Sequence, residues 1–470
     1  MTDILKRVAL PFIVGALLTV AIVGYGTMTN TLDAKLLIVI SVGIVVLALL
    51  FMSEKSRWIL FCLGIFSIAF GYRSIHIGQN TYLVPFEIIM GGLWGVLLLS
   101  GRDKNRRISI PAMLILVMGW SLVNGLVSFL TGTPWDAILS WMLPLIFGLP
   151  TFWVVSRLVK DATHLEIINR IYLAVAAFMS VCEIIEYYFQ GIAAHFPWFF
   201  TTAILDTQEG FIRGAFSFWG YPAGASVVVF GLLIAYDNIL RSKGIGLRLI
   251  SLGTFAVGLV AVYVSGTRSA WLGLGLALLL LSLSNKLKGM VSLSVLLAAS
   301  TILPPIFFAR ATTIVDAVSG NVFDTSLISR LDRWKWGINA ILSNPIWGVG
   351  YGHWLVHNIF LEIGSTIGII PAIAFLIFVI QLVMRIARVA LNRKAPEARR
   401  YGWLFLAFAI TWIIQLNVEA VFQTTALAVA FWPSMALGWY LSDMFPKSPD
   451  KDNQLSSAGS FYDHSINSNL

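Results

Sequence analysis

The chain has 470 residues, 58% of them hydrophobic and only 12% charged, with 31 Phe, 17 Trp and 13 Tyr. That composition excludes a soluble globular protein and describes an integral membrane protein. The formal charge of +9 has to be read along the chain before it says anything about partners.

Apolar stretches recur from end to end, at 8–29, 36–52, 58–75, 83–100, 110–131, 137–156, 171–189, 216–239, 249–264, 269–284, 290–309, 359–380, 402–421 and 424–442. They predict an all-α, polytopic membrane fold with about 12–14 transmembrane helices. The first stretch follows Lys6 and Arg7 as a signal peptide would, but its length and the lack of a small-residue cleavage site predict a retained anchor. With the N-terminus placed in the cytoplasm, eight of the 32 lysines and arginines fall outside and the rest inside. This is the positive-inside bias, so the charge reports orientation and no nucleic-acid partner is implied. Cys62 and Cys182 lie within predicted spans, which leaves no external pair for a disulfide. No repeat or linker divides residues 1–442, read as a single membrane domain with both ends cytoplasmic. Residues 443–470 turn polar and predict a disordered cytoplasmic tail.

The eight external basic residues are Lys35, Arg73, Arg213, Arg268, Arg310, Arg330, Arg333 and Lys335. Six are arginine, whose planar fork of donors matches phosphate oxygens; interfacial snorkelling is the alternative for any one of them. Arg268 lies in a four-residue turn, SGTR, between two apolar helices, where the next helix also offers free N–H groups to an anion. Arg213 precedes a span broken by Gly220 and Pro222, and such breaks are tolerated at depth where they line a cavity. The segment of about 310–358 is the longest external loop, the one place for a substrate-binding subdomain. Within it, apolar residues at 328, 331, 334, 338, 341 and 342 predict a helix on the membrane surface, ended by Asn344-Pro345, with Arg330, Arg333 and Lys335 towards headgroups.

His353 and His357 close that loop. Their spacing suits a pair of zinc ligands, but HWLVH lacks the Glu of a metalloprotease helix and no third ligand follows, so no metal and no other cofactor is expected. A neutral His beside external arginines suits a general base acting on a hydroxyl while the arginines hold a phosphate leaving group. The external acids Asp206, Glu209, Asp316, Asp324 and Asp332 are scattered and form no metal-binding pair, which favours arginine as the counter-charge.

Taken together, RGAFSFWGYPAGAS (213–226), VSGTRSAWLGL (264–274), SRLDRWKWGINAILSNPIWGVGYG (329–352) and HNIFLEIGSTIGII (357–370) resemble the O-antigen ligase and polymerase superfamily in order, spacing and local sequence. The chain reads Tyr221-Pro222-Ala223 where relatives usually have an Asn-Pro-Asn-like turn. The resemblance implies a C-type glycosyltransferase-like fold that takes a glycan from undecaprenyl pyrophosphate on the outer face of the bacterial inner membrane. It implies that Arg213, Arg268 and Arg330 engage the pyrophosphate and that His357, the His before Asn, activates the acceptor. The implied reaction is an inverting, metal-independent transfer. The acceptor is open among a growing polymer, a lipid A core and a protein hydroxyl. A competing reading is a transporter or lipid-linked glycan flippase, since Glu87, Glu183, Glu186 and Glu419 fall within predicted spans; for Glu183 and Glu186, exposure to an external cavity is the milder explanation.

Overall fold

A computed structural model describes residues 53–70, 75–76, 82–99, 110–195, 204–206, 211–213, 221–285, 289–291, 294, 325–352, 356–418 and 425–445. The helices that frame the site are α1 (Glu54–Ser67), α2 (Pro85–Leu99), α3 (Ala112–Leu130), α4 (Trp135–Ile146), α5 (Gly148–Leu158), α6 (Ala162–Tyr188), α7 (Gln190–His195), α8 (Tyr221–Arg241), α9 (Ile245–Val264), α10 (Arg268–Ser284), α11 (Thr325–Ser343), α12 (Ile359–Ile367), α13 (Ile369–Leu391), α14 (Pro396–Val418), α15 (Thr425–Trp439) and α16 (Leu441–Met444). Among the described residues, strands form two small antiparallel hairpins, Ile75–His76 with Tyr82–Leu83 and Ile204–Asp206 with Phe211–Arg213. The architecture is all-α and polytopic, as the hydropathy pattern predicts.

Among the described residues seven helical segments are long and apolar enough to cross a membrane, Trp135–Leu158 (α4 with α5) counting as one, and three shorter apolar helices accompany them. The predicted spans 8–29 and 36–52 lie outside the described residues, as does 290–309 apart from residues 290, 291 and 294. The others coincide with helices, with one correction. The span predicted at 137–156 coincides with Trp135–Leu158, whose helix is interrupted only at Phe147, between Pro144 and Pro150, where each proline withholds a backbone donor. The span predicted at 359–380 is two helices, α12 and α13, parted at Gly368 with φ +101°. A membrane crossing in this region therefore begins at Ile369. At the chain's other boundary, α16 carries helix to Met444, two residues into the predicted tail, and the rest of that tail lies outside the described residues.

Two ends of the bundle can be told apart. At one, Asp237 near the end of α8 meets Arg400 at the start of α14 at 2.6 Å, and Arg241 donates to Ser284 Oγ at the end of α10 at 3.0 Å. Helix α10 packs against α14, with the Thr411 hydroxyl donating to the Gly273 carbonyl at 3.3 Å. Arg268 therefore opens α10 at the opposite end, about 24 Å away at 1.5 Å per residue. Asn417, next to last in α14, lies at that same far end and accepts a hydrogen bond from Asn358 at 3.1 Å. This contact brings the start of α12, with His357 before it, to the end of the bundle where Arg268 sits.

Candidate active site

The site is assembled from two short backbone devices. The first is the turn before α10. Gly266 adopts φ +64°, the Ser265 hydroxyl donates to the Val262 carbonyl at 2.7 Å and accepts from the Thr267 N–H at 3.2 Å. The Trp271 indole donates to the same Val262 carbonyl at 2.8 Å, folding the first turn of α10 onto the last turn of α9. Ser265, Thr267 and Ser269 are buried while Arg268 is half-buried, so the turn is fixed from below. The SGTRxAW pattern thus has a structural cause at nearly every position.

The second device is the loop from Asn344 to Gly352. Gly348, Gly350 and Gly352 all take positive φ, at 69°, 90° and 88°. The loop can then double back so that the Val349 and Gly350 N–H groups donate to the carbonyls of Ser365 and Thr366 at 2.7 and 3.1 Å. Those are carbonyls at the end of α12 that its own helix cannot satisfy. In return the Ile369 N–H donates to the Pro345 carbonyl at 2.8 Å. The approach is close enough that a Cβ on Gly368 would lie 1.9 Å from the Ile346 oxygen. From α3, Trp120 donates to the Ile367 carbonyl at 2.8 Å and Asn124 to the Trp347 carbonyl at 2.7 Å. Tyr351 returns a hydrogen bond to the Ser121 carbonyl at 2.8 Å; burial pushes its phenol up to about 12, so it anchors rather than titrates.

These constraints deliver His357. Val356 before it is fully buried against Gly337 of α11. Asn358 after it is the N-cap of α12, its carboxamide oxygen accepting from the Phe360 and Leu361 N–H groups at 3.1 Å each. Held between them, His357 is the single described non-glycine residue in the left-handed region, with φ +55°. Such a backbone costs an L-residue about 1–2 kcal/mol, a strain the surrounding contacts impose.

Arg333 Nη1 donates to His357 Nε2 at 2.8 Å. Burial, and then the charges of Arg333 and Arg330, lower the imidazole to about 4. The ring is therefore neutral at pH 7, with its Nε2 lone pair turned to Arg333 and its proton on Nδ1. Nδ1 is buried with no hydrogen-bond partner among the described residues.

The structure thus brings Arg330 and Arg333 of α11 around His357 and sets Arg268 at the same end of the bundle. Arg213 ends the second hairpin, its backbone paired with Ile204. His353, Gly220, Glu419, Glu209, Asp316 and Asp324 lie outside the described residues. The helix predicted over 328–342 is present as α11, but Arg333 is turned onto His357 rather than towards headgroups. The i, i+3 spacing that sets Arg330 and Arg333 on one helix face was legible, but not the partner that Arg333 meets. Asn358 was legible too, as an Asn heading an apolar run. Lys335 is exposed beside Asp332, 3.7 Å away.

Of the acids within the predicted spans, Glu87, Glu183 and Glu186 are described, and all three are buried. Glu183 and Glu186 are fully buried rather than exposed to an external cavity. Glu87 accepts from the Val84 N–H at 3.1 Å and so caps its own helix. Among the described residues no three His, Cys, Asp or Glu side chains gather as a metal site.

A search of curated proteins finds none that matches the chain. A family model described as O-antigen ligase matches residues 253–376, a stretch that takes in the Arg268 turn, α11, the glycine loop, His357 and the break at Gly368. The match is a likeness to the O-antigen ligase family over that segment alone, and the candidate spans mark the chain as a multi-pass membrane protein.

Proposed function

We propose that the protein is an inverting glycosyltransferase that moves a glycan from undecaprenyl pyrophosphate to a hydroxyl acceptor at the external face of the inner membrane, with Arg213, Arg268 and Arg330 on the pyrophosphate and His357 as the base. The observation that carries this reading is the contact between Arg333 and His357, because it joins a phosphate-matching guanidinium to a neutral imidazole.

The chemistry needs one displacement. The acceptor oxygen attacks the anomeric carbon, the bond from that carbon to the pyrophosphate oxygen breaks, and the leaving group departs with the electron pair. The acceptor proton passes to His357 Nε2. Arginines aimed at the leaving group stabilise the charge that develops there. In the arrangement seen, Nε2 is occupied. A pyrophosphate is the stronger acceptor for a guanidinium, so donor binding draws Arg333 away and frees the lone pair. Donor then binds before acceptor, and the base is uncovered when a leaving group is in place. The single membrane domain over 1–442, with its catalytic loop at about 310–358, presents this site to lipid-linked donor from one leaflet.

The test is transfer by the purified protein from a lipid-linked glycan, followed by release of undecaprenyl pyrophosphate. The acceptor is read from cells lacking the protein. Long polymer left on the carrier marks a ligase and single repeat units a polymerase. Units trapped on the cytoplasmic leaflet would instead mark a flippase and overturn the proposal.

A further inference from the structure

At the end of the bundle opposite His357, a cavity of about 280 Å³ opens between the first turns of α6, α9 and α14 and the last turn of α8. Its lining includes Arg170, Arg241, Lys243 and Arg400 against the single acid Glu166. Beneath it, Asp237 is 1% exposed and is shared by two guanidiniums, Arg400 Nε at 2.6 Å and Arg241 Nε at 2.9 Å. The second contact is ionic, without the alignment of a hydrogen bond, and leaves that buried N–H without an acceptor. Arg170 is paired with Glu166 at 2.5 Å. Two carboxylates thus face four cations, leaving a net charge of about +2; Arg241 and Arg400 are half-buried, where charge is less screened, while Arg170 and Lys243 are exposed at the mouth.

A further side chain points to what fills it. Asn169 lines the same cavity, is 7% exposed, and its buried Oδ1 has no hydrogen-bond partner among the described residues. Buried amide oxygens are rarely left so. The cations want an anion and the amide oxygen wants a donor hydroxyl. The location supplies the geometry, since Arg241 ends one candidate span and Arg400 lies near the start of another. The recess therefore sits where spans leave the apolar layer, at headgroup depth.

We infer that this recess is a second binding site, for a phosphate diester or monoester that carries a hydroxyl group, as in a glycerol phosphate headgroup. The cations hold the phosphate and Asn169 accepts from the hydroxyl. Phosphate recognition at this depth by clustered basic residues between helices has ample physical precedent. The site is independent of the transfer chemistry, because the length of α14 parts Arg400 from Asn417, about 25 Å at 1.5 Å per residue.

The test is thermal unfolding of the full purified chain in neutral detergent, titrated with dioctanoyl-phosphatidylglycerol, dioctanoyl-phosphatidic acid, dioctanoyl-phosphatidylcholine and free glycerol 3-phosphate. The expected result is a saturable rise in Tm with phosphatidylglycerol, a smaller one with phosphatidic acid and none with phosphatidylcholine. The Arg170→Gln/Lys243→Gln pair, which leaves the Asp237 contacts intact, should weaken that binding about tenfold or more. Asn169→Leu should erase the preference for phosphatidylglycerol over phosphatidic acid. A matching rise with free glycerol phosphate would assign the site to a soluble ligand of the same chemistry. An equal rise with phosphatidylcholine, or full binding by the double variant, would overturn the site.

Discussion

Arg333 Nη1 donates to His357 Nε2 at 2.8 Å, so the nitrogen best placed to accept a proton is covered by a cation. Burial first, and then that same cation, hold the imidazole neutral. Removing the cation both frees the lone pair and raises the ring's proton affinity, and an anionic donor does this without any change in the protein's covalent structure.

The pH dependence follows in sign. Burial and the two arginines lower His357 to about 4 from 6.5 in the free protein, and bound pyrophosphate offsets the arginine charge. The acid limb of kcat/KM, which reports free enzyme, should therefore lie near 4, and that of kcat, which reports the complex, should lie higher. Arg333→Gln should move the kcat/KM limb up towards the ordinary histidine value and narrow the gap. Coincident limbs in the parent protein would remove Arg333 from this role. Because the folded value lies below the unfolded one, His357 also contributes stability above pH 6.5 that is lost as pH falls towards 4.

Arg268→Lys keeps the charge at the start of α10 but loses the planar fork. Most transfer activity should disappear, with donor KM rising, while expression and Tm stay close to the parent, since the turn is secured by Ser265, Gly266 and Trp271. Steady-state kinetics with lipid-linked donor read this; near-normal turnover would reduce Arg268 to a helix-start residue.

Activity should persist in excess EDTA. The expectation rests on the scattered external acids and on arginine as the counter-charge, and turnover before and after chelation checks it. Loss of activity restored by added divalent cation would defeat an arginine-only mechanism.

Gly368→Ala should prevent correct folding. Its φ of +101° strains any L-residue and the new methyl would lie 1.9 Å from the Ile346 carbonyl oxygen. We expect a cost of about 3 kcal/mol or more, visible as loss of monodisperse protein in size-exclusion chromatography. Gly132→Ala is the control, since it shares a positive φ of 97° but meets nothing within 4 Å.

Much of this was legible in the sequence, and the misses have physical causes. Hydropathy locates apolar helices because the bilayer fixes both their length and their composition, and α3, α8, α9, α10 and α14 fall where it places them. It cannot see a break inside an apolar run, so α12 and α13 read as one span although Gly368 parts them. The SGTR turn and the His-Asn pair stand out as polar residues between apolar ones. What they are for is partly backbone work, as Asn358 shows by capping α12. Arg333 was readable as a basic residue on a surface helix but not as the partner of His357, because α11 and His357 meet only through the tertiary fold.

The central claim, that His357 is the base, is tested most directly by separating donor binding from transfer in His357→Asn. Asparagine tolerates the left-handed backbone at this position, so the substitution removes the imidazole without adding strain. Donor affinity of the purified variant, measured with lipid-linked glycan, should stay near that of the parent, while single-turnover transfer should fall by about 10² to 10⁴-fold. A variant that transfers at the parent rate, or one that fails only because donor no longer binds, would contradict the assignment.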